Sequence, residues 1–275
     1  MPTGHFFPNQ PPEMMEFEGK LRAAAIMLPA PIRLAVYGLL SNTLGSLTPT
    51  EFLPQGELIV ARQKGRDIAF PNPIPLINHS HIVFDYVEWL NHKYSLPGFV
   101  EVEAGDVVVD CGAYVGGFSM SVAGIAKEVH GFEPAPLNFA CLQRNLSAFA
   151  SARVNNMGLF SKTQTMVLNV SASAVEHSLL RPDDGPPLSQ REIPVMTLED
   201  YCRERGLPGL DFVKIEAEGV ELEIYDGLGA IKPRKLAIDV SPERDGQSPA
   251  ATFYEKLTRD GYKVQQRGAV MFARL

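Results

Sequence analysis

Val107-Val108-Val109-Asp110-Cys111-Gly112-Ala113-Tyr114-Val115-Gly116-Gly117-Phe118-Ser119 is an apolar run that breaks into glycines and then into a helix-like pattern. The valines before Asp110 suit a parallel strand buried on both faces. Gly112, Gly116 and Gly117 permit a sharp turn and let a ligand approach the backbone without a Cβ in the way. In an open α/β sheet such a turn lies outside the carboxyl end of its strand, where ligands bind.

The spacing narrows the ligand. A dinucleotide fingerprint needs glycine at its first, third and sixth places. Those places hold Gly112, Tyr114 and Gly117, so a bulky side chain stands where a pyrophosphate would press closest. No Gly-Lys-Ser/Thr follows, which excludes a Walker loop. A nucleoside ligand with little or no phosphate remains, and S-adenosylmethionine fits.

One βα unit later comes Val129-His130-Gly131-Phe132-Glu133-Pro134, with Glu133 standing 23 residues beyond Asp110. A carboxylate at that strand end can accept hydrogen bonds from both ribose hydroxyls. The other reading makes Glu133 a helix-start acid favoured by the dipole. Pro134 is expected to open the helix, since proline suits a first turn.

A formal net charge of -7 argues against a broad nucleic-acid surface, and the Lys and Arg residues are scattered. Cys111, Cys141 and Cys202 show no metal-ligand pairing, which fits reduced thiols in a cytoplasmic protein. Met1–Gln10 lacks a basic start followed by an apolar core, so no secretory signal is expected. Arg22, Arg33, Pro29 and Pro31 interrupt the apolar stretch Leu21–Leu40, which is therefore read as two short helices rather than a span. A peripheral membrane contact there is the minority reading.

Residues 1–99 read as a proline-rich extension for substrate or oligomer contacts. It carries a hairpin over Glu57–Phe70 turning at Lys64-Gly65 and a helix over Ile82–Tyr94. From residue 100 to 275, strand, turn and helix alternate. Strands are expected near 107–111, 128–132, 152–157, 210–215, 235–240, 262–266 and 269–274. The last two form a hairpin that closes a mostly parallel seven-stranded sheet. Between Gly158 and Arg191 the rhythm breaks at Pro182, Asp183-Asp184-Gly185, Pro186 and Pro187, so this insert is read as a loop with strands at its edges. His79 and His81 would share a face on a strand, but no further metal ligands are identifiable.

Asp211-Phe212-Val213-Lys214-Ile215-Glu216-Ala217-Glu218-Gly219-Val220-Glu221 carries a third constellation. A strand ending at Ile215 would deliver Lys214, Glu216 and Glu218 to the same sheet edge as Gly112 and Glu133. Glu216 is a candidate general base with Lys214 orienting it. The competing reading is a structural ion pair at a strand end. His177, on the insert, is a second candidate base or a solvated loop histidine. Glu218 is a candidate substrate-binding residue, while Glu221 and Glu223 read as the solvated acidic start of a helix.

Together "VVVDCGAYVGGFS", "GFEPAPLNF" with "LQRNL" after it, "VNNMGLFS", "TLEDYCRERGLPGLDFVKIEAEGVELEIYDGL" and "KLAIDV" resemble the FkbM-type S-adenosylmethionine-dependent methyltransferases over about residues 100–265. The resemblance implies a class I methyltransferase, Rossmann-like α/β fold. It implies cofactor contacts from Asp110, Gly112 and Gly116 and ribose contact from Glu133; Ala113, Tyr114 and Pro134, beside them in the sequence, are further candidate cofactor-binding residues. It places Lys214–Glu218 beside the methyl-acceptor pocket. Many members carry Asp where this chain has Glu216, which lengthens the carboxylate arm.

The expected activity is O-methylation of a hydroxyl on a sugar, glycolipid or other secondary metabolite, the acceptor class the resemblance implies. Carboxylates at the edge could hold a divalent cation, although no spacing demands one. Against the competing classes, an amino-methylating nucleic-acid enzyme would carry an Asn/Asp-Pro-Pro-aromatic motif where Glu216-Ala217-Glu218-Gly219 stands. A dinucleotide-dependent oxidoreductase is opposed by Tyr114. A silent S-adenosylmethionine-binding module would bind cofactor and methylate nothing.

Overall fold

The computed structural model describes residues 27–180, 186–244 and 246–275. Two compact units meet in sequence between Lys93 and Tyr94. Part of the expected helix pair over Leu21–Leu40, and Pro182 to Gly185 of the insert, lie outside the described residues.

In the first unit, helix α1 (Ala30–Thr43) begins with Pro31 in its first turn, where a missing N–H costs nothing. Three antiparallel strands follow in the order β1 (Thr50–Gln55), β2 (Leu58–Gln63) and β3 (Arg66–Pro71). Only the second and third were legible as a hairpin. Their turn residues Lys64 and Gly65 both have positive φ, the geometry that matches strand twist. The helix expected over Ile82–Tyr94 is two helices, α2 (Leu76–Val83) and α3 (Tyr86–Tyr94), broken where Asp85 adopts φ +74°. His79 and His81 therefore sit on a helix, where an i, i+2 pair does not share a face. His81 instead stacks on Trp89, ring centroids 3.6 Å apart.

The second unit is built on β4 (Val107–Cys111), β5 (Glu128–Phe132), β6 (Ala152–Asn155), β10 (Phe212–Ile215), β11 (Lys235–Asp239), β12 (Lys263–Arg267) and β13 (Val270–Arg274). Their order is β12-β13-β11-β10-β4-β5-β6. The five strands from β6 to β11 run parallel, while β13 pairs antiparallel with both β11 and β12. This is the class I methyltransferase arrangement expected from the sequence. The central strands are continuous apolar runs because both faces are covered, and Val109, Val213, Ile215, Leu236 and Ile238 share one core.

β4 is the switch point. The chain moves from it to β5 on one side, then returns to place β10 on the other. Ligands bind in the crevice such a reversal opens at the carboxyl ends. Helices α4 (Gly117–Val122) and α5 (Pro136–Leu146) follow β4 and β5. Helix α5 opens at Pro136, not Pro134. Ala135 is its N-cap, and the proline preference operates two residues later than expected. The insert forms its own three-stranded sheet in the order β7 (Gly158–Leu159), β9 (Ser189–Met196) and β8 (Gln164–Val170). Helices α6 (Leu198–Arg205), α7 (Glu221–Asp226) and α8 (Ala250–Arg259) complete the described elements of this unit. No helix among the described residues is long and apolar enough to cross a membrane.

Candidate active site

The turn after β4 is left-handed at Gly112 (φ +67°), Tyr114 (φ +52°) and Gly116 (φ +85°). A Cβ on Gly112 would stand 1.7 Å from the Glu216 carbonyl oxygen, and one on Gly116 would stand 2.7 Å from Leu142 Cδ1. The sequence assigned these glycines to a ligand's approach. In the structure the close neighbours are the loop after β10 and helix α5.

Glu133 is buried against that turn. Its Oε2 accepts from the Tyr114 amide at 3.0 Å and its Oε1 from the Ala135 amide at 2.9 Å. The carboxylate thus joins the glycine turn to the start of α5. Burial pushes its pKa up to about 7, against the opposing pull of those two amides. Asn138 Nδ2 stands 3.5 Å from Oε1 and donates to the Ala174 carbonyl at 2.8 Å.

Asp110 is fully buried, accepting from Ser119 Oγ at 2.7 Å. Its other oxygen faces Lys214 Nζ at 3.1 Å. Lys214, only 2% exposed, donates to the carbonyls of Cys111 at 3.1 Å and Gly112 at 2.8 Å, and lies 3.2 Å from Glu216. Burial alone would strip its proton, but Asp110 and Glu216 hold its pKa above the ordinary value. The ammonium therefore stays charged and binds the glycine turn to β10. Nζ also lies 5.1 Å from the centroid of the buried Tyr94 ring. Burial and the neighbouring Glu216 carboxylate keep that phenol protonated, well above its usual range.

Beyond Glu216 the edge is acidic. Glu218, at φ +51°, is raised well above the carboxylate range by burial and by Glu216 and Glu221. Glu243 is pushed up to about 11 by burial and by Glu218, Glu221 and Asp239. Glu221 is not a solvated helix start. It is 3% exposed, and its Oε1 accepts from the amides of Ala217 at 2.8 Å and Gly219 at 3.2 Å. Those amides precede helix α7 and need an acceptor, which explains why a carboxylate is buried there. Glu223 pairs with Arg244 at 2.6 Å.

The segment after β8 contacts both flanks. Ala174 receives Asn138 on the Glu133 side, and Ser178 Oγ donates to the Glu218 carbonyl at 2.8 Å on the other. Between them, His177 is half-buried rather than a free loop histidine. Its Nδ1 accepts from the Ser171 amide at 3.1 Å, and burial lowers its pKa. The expected residues Asp110, Gly112, Ala113, Tyr114, Gly116, Glu133, Lys214, Glu216 and Glu218 thus border the carboxyl edge, with Pro134 between Glu133 and its Ala135 partner.

The sequence reading missed Asn138, Ser178, Tyr94 and Glu243. Asn138 lies in the quoted "GFEPAPLNF" and Ser178 adjoins His177. Tyr94 and Glu243 carry no local signal. Among the described residues, no group of three His, Cys, Asp or Glu side chains is arranged to hold a metal ion.

Residues 110–264 match the family model of the methyltransferase FkbM domain. The 31-O-demethyl-FK506 methyltransferase FkbM of Streptomyces tacrolimicus is 27% identical over 186 residues, covering 55% of this chain and 70% of that protein. Methyltransferase sdnD of Sordaria araneosa is 25% identical over 179 residues, covering 53% and 68% respectively. The crystal structure of methyltransferase FkbM from Methylobacillus flagellatus KT matches with a TM-score of 0.44 and 20% identity, over 73% of this chain and 53% of that one. With its matched domain spanning more than half of its length, the chain belongs to the FkbM methyltransferase family.

Proposed function

We propose that this methyltransferase takes its methyl group from S-adenosylmethionine and transfers it to a hydroxyl oxygen of a small-molecule or carbohydrate-bearing acceptor. The observation that carries the reading is the charge of the sheet edge. Glu216, Glu221 and Asp239 crowd the carboxyl ends closely enough to help raise the pKa values of Glu218 and Glu243. A sulfonium and an ammonium bound there would favour the ionised carboxylates and relieve that crowding, whereas the diphosphate of a dinucleotide would add to it. Glu133 has lone pairs beyond its two amide partners and can take the ribose hydroxyls. The name of the Streptomyces relative, a 31-O-demethyl-FK506 methyltransferase, supports oxygen as the acceptor atom.

When bound, the cofactor supplies a methyl carbon made electrophilic by positively charged sulfur. The chain's own contribution is alignment and proton removal. Holding acceptor and donor in line can lower the barrier by roughly 7–11 kcal/mol at best. Glu216, half-buried and fixed by Lys214, is the base that takes the hydroxyl proton. His177 is less suited to it. With Nδ1 accepting an amide hydrogen, the neutral ring carries its proton on Nε2 and has no lone pair to offer. Lys214, charged and saturated with acceptors, is a positioning residue. Glu218 borders the acceptor, and residues 1–99 supply contacts to the acceptor or to a second copy of the chain.

Calorimetric titration with S-adenosylhomocysteine and with NAD tests the cofactor, and binding of NAD in preference overturns it. For the acceptor, hydroxylated sugars and secondary metabolites are compared with their amino counterparts. Release of S-adenosylhomocysteine with hydroxyl acceptors alone is expected, and turnover of the amines alone overturns the oxygen assignment.

A further inference from the structure

Residues 171–178 leave strand β8 on an excursion that the methyl-transfer reading does not use. The base of the excursion is closed by Asn169 and Ser178, whose amides and carbonyls pair at 2.9 and 3.2 Å, and Ser178 Oγ fixes that base to the Glu218 carbonyl. Its two arms are joined by the Ser171 amide, which donates to His177 Nδ1. Its tip is a turn in which the Glu176 amide donates to the Ser173 carbonyl at 3.1 Å. From that tip the Ala174 carbonyl accepts from Asn138 Nδ2 at 2.8 Å. The base thus sits beside the loop after β10, and the tip beside the start of α5, which follows β5. Strand β4 stands between β10 and β5, so the excursion crosses the carboxyl end of the switch-point strand.

Glu133, the proposed ribose acceptor, is only 6% exposed, too little for a ribose to dock on without a displacement. Two neighbours of its carboxylate are the Tyr114 and Ala135 amides, which belong to the glycine turn and the helix start. The third is Asn138 Nδ2 at 3.5 Å, a side chain whose nearer partner is the Ala174 carbonyl at the tip. Releasing that tip breaks one side-chain hydrogen bond, whereas moving either amide dismantles the turn or the helix end. Elements that open for ligands are drawn from the least stable parts of a fold.

We propose that residues 171–178 form a hinged strap over the cofactor crevice, latched at its tip by Asn138, and that the strap opens to admit S-adenosylmethionine and to release S-adenosylhomocysteine. This rests on the cofactor reading above. Asn138 bonds the strap rather than the ligand, so its loss raises the open fraction equally with and without ligand. Entry and exit then accelerate together, and Kd stays where it was. A residue that only contacted the ligand would speed exit alone.

The test follows association and dissociation of S-adenosylhomocysteine on the full chain by surface plasmon resonance. Asn138→Leu should raise both rate constants about five- to tenfold, the worth of one hydrogen bond, and leave Kd nearly unchanged. In the pair Asn138→Cys with Ala174→Cys, bridging the two thiols with dibromobimane should slow both steps below the wild-type rates, while the unbridged sample is faster than wild type. Cys111, Cys141 and Cys202 are buried and out of the reagent's reach. Ala174→Cys alone keeps Asn138 and its bond and serves where the Asn138 variants do not fold. A bulky maleimide on that thiol should wedge the tip away and raise both rates. Faster dissociation with unchanged association makes Asn138 a ligand contact and overturns the strap, as do unaltered rates in the bridged or wedged chain. A wild type that does not bind S-adenosylhomocysteine overturns the cofactor reading, and the strap with it.

Discussion

The Glu216 carbonyl oxygen occupies the space that a Cβ on Gly112 would need, 1.7 Å from that position. The candidate base and the glycine turn after β4 are therefore packed backbone to backbone. Gly206 has nearly the same left-handed φ, +64°, with nothing within 4 Å of its would-be Cβ. Gly206→Ala should cost about 1–2 kcal/mol from conformation alone. Gly112→Ala should cost about 2–5 kcal/mol, because the carbonyl must also move. Urea denaturation of the two variants separates the contributions, and equal losses would show that the contact is unimportant.

Removing the buried ammonium should be more damaging still. Lys214→Met leaves Asp110 buried beside two carbonyls with no cation, and a loss of about 3–5 kcal/mol is expected. Folded Lys214 holds its proton more tightly than an unfolded lysine. Its contribution is thus complete below about pH 10 and fades only as pH rises through the folded value. A small change in chemical-denaturation midpoint at pH 7 would mean that the pair contributes specificity rather than stability.

Glu133 should make cofactor affinity depend on pH near neutrality. With its pKa pushed up to about 7, acidification from pH 8 to pH 6 converts this proposed ribose acceptor into its protonated form. S-adenosylhomocysteine affinity should fall over that interval, and Glu133→Gln should bind weakly at both pH values. Stability runs in the opposite direction. The folded group binds its proton more tightly than the unfolded one, so its ionisation destabilises the fold as pH rises from about 4.5 to 7. Glu218, Glu221 and Glu243, all raised, add to that slope. Melting temperature in the absence of cofactor should therefore increase on mild acidification, and a flat profile from pH 8 to pH 5.5 would contradict the shared burial of these carboxylates.

Glu216→Gln should bind S-adenosylhomocysteine as the wild type does and lose about 10²–10⁴-fold in turnover. His177→Asn should retain most activity, since the imidazole accepts a backbone hydrogen in this arrangement. Steady-state kinetics on both variants distinguishes them. The reverse ranking would transfer the base to the insert.

The sheet was legible because its strands are written locally. The Val107–Cys111 and Lys235–Asp239 runs are apolar enough to require cover on both faces, and Arg267-Gly268 punctuates the final hairpin. Positions decided by distant partners were not legible. Gly112 looks like a ligand's glycine until Glu216, far along the chain, is seen beside it. Glu221 looks solvated because a helix-start acid normally is, and only the amides of Ala217 and Gly219 require its burial. Strand β1 has Pro54 within it and weak alternation, so nothing nearby marks it as the partner of β2.

The segment after β8 is tied to the domain through carbonyl oxygens, Asn138 grasping that of Ala174 and Ser178 that of Glu218. A carbonyl is offered by every amino acid. Residue 174 can change without losing the first tie, residue 218 without losing the second, and the side chains between 174 and 178 are bound by neither. The segment is thus an exchangeable cassette. On the proposed reading, in which Glu218 borders the acceptor, replacing its contents while keeping Asn138 and Ser178 tests whether this segment sets the choice of acceptor.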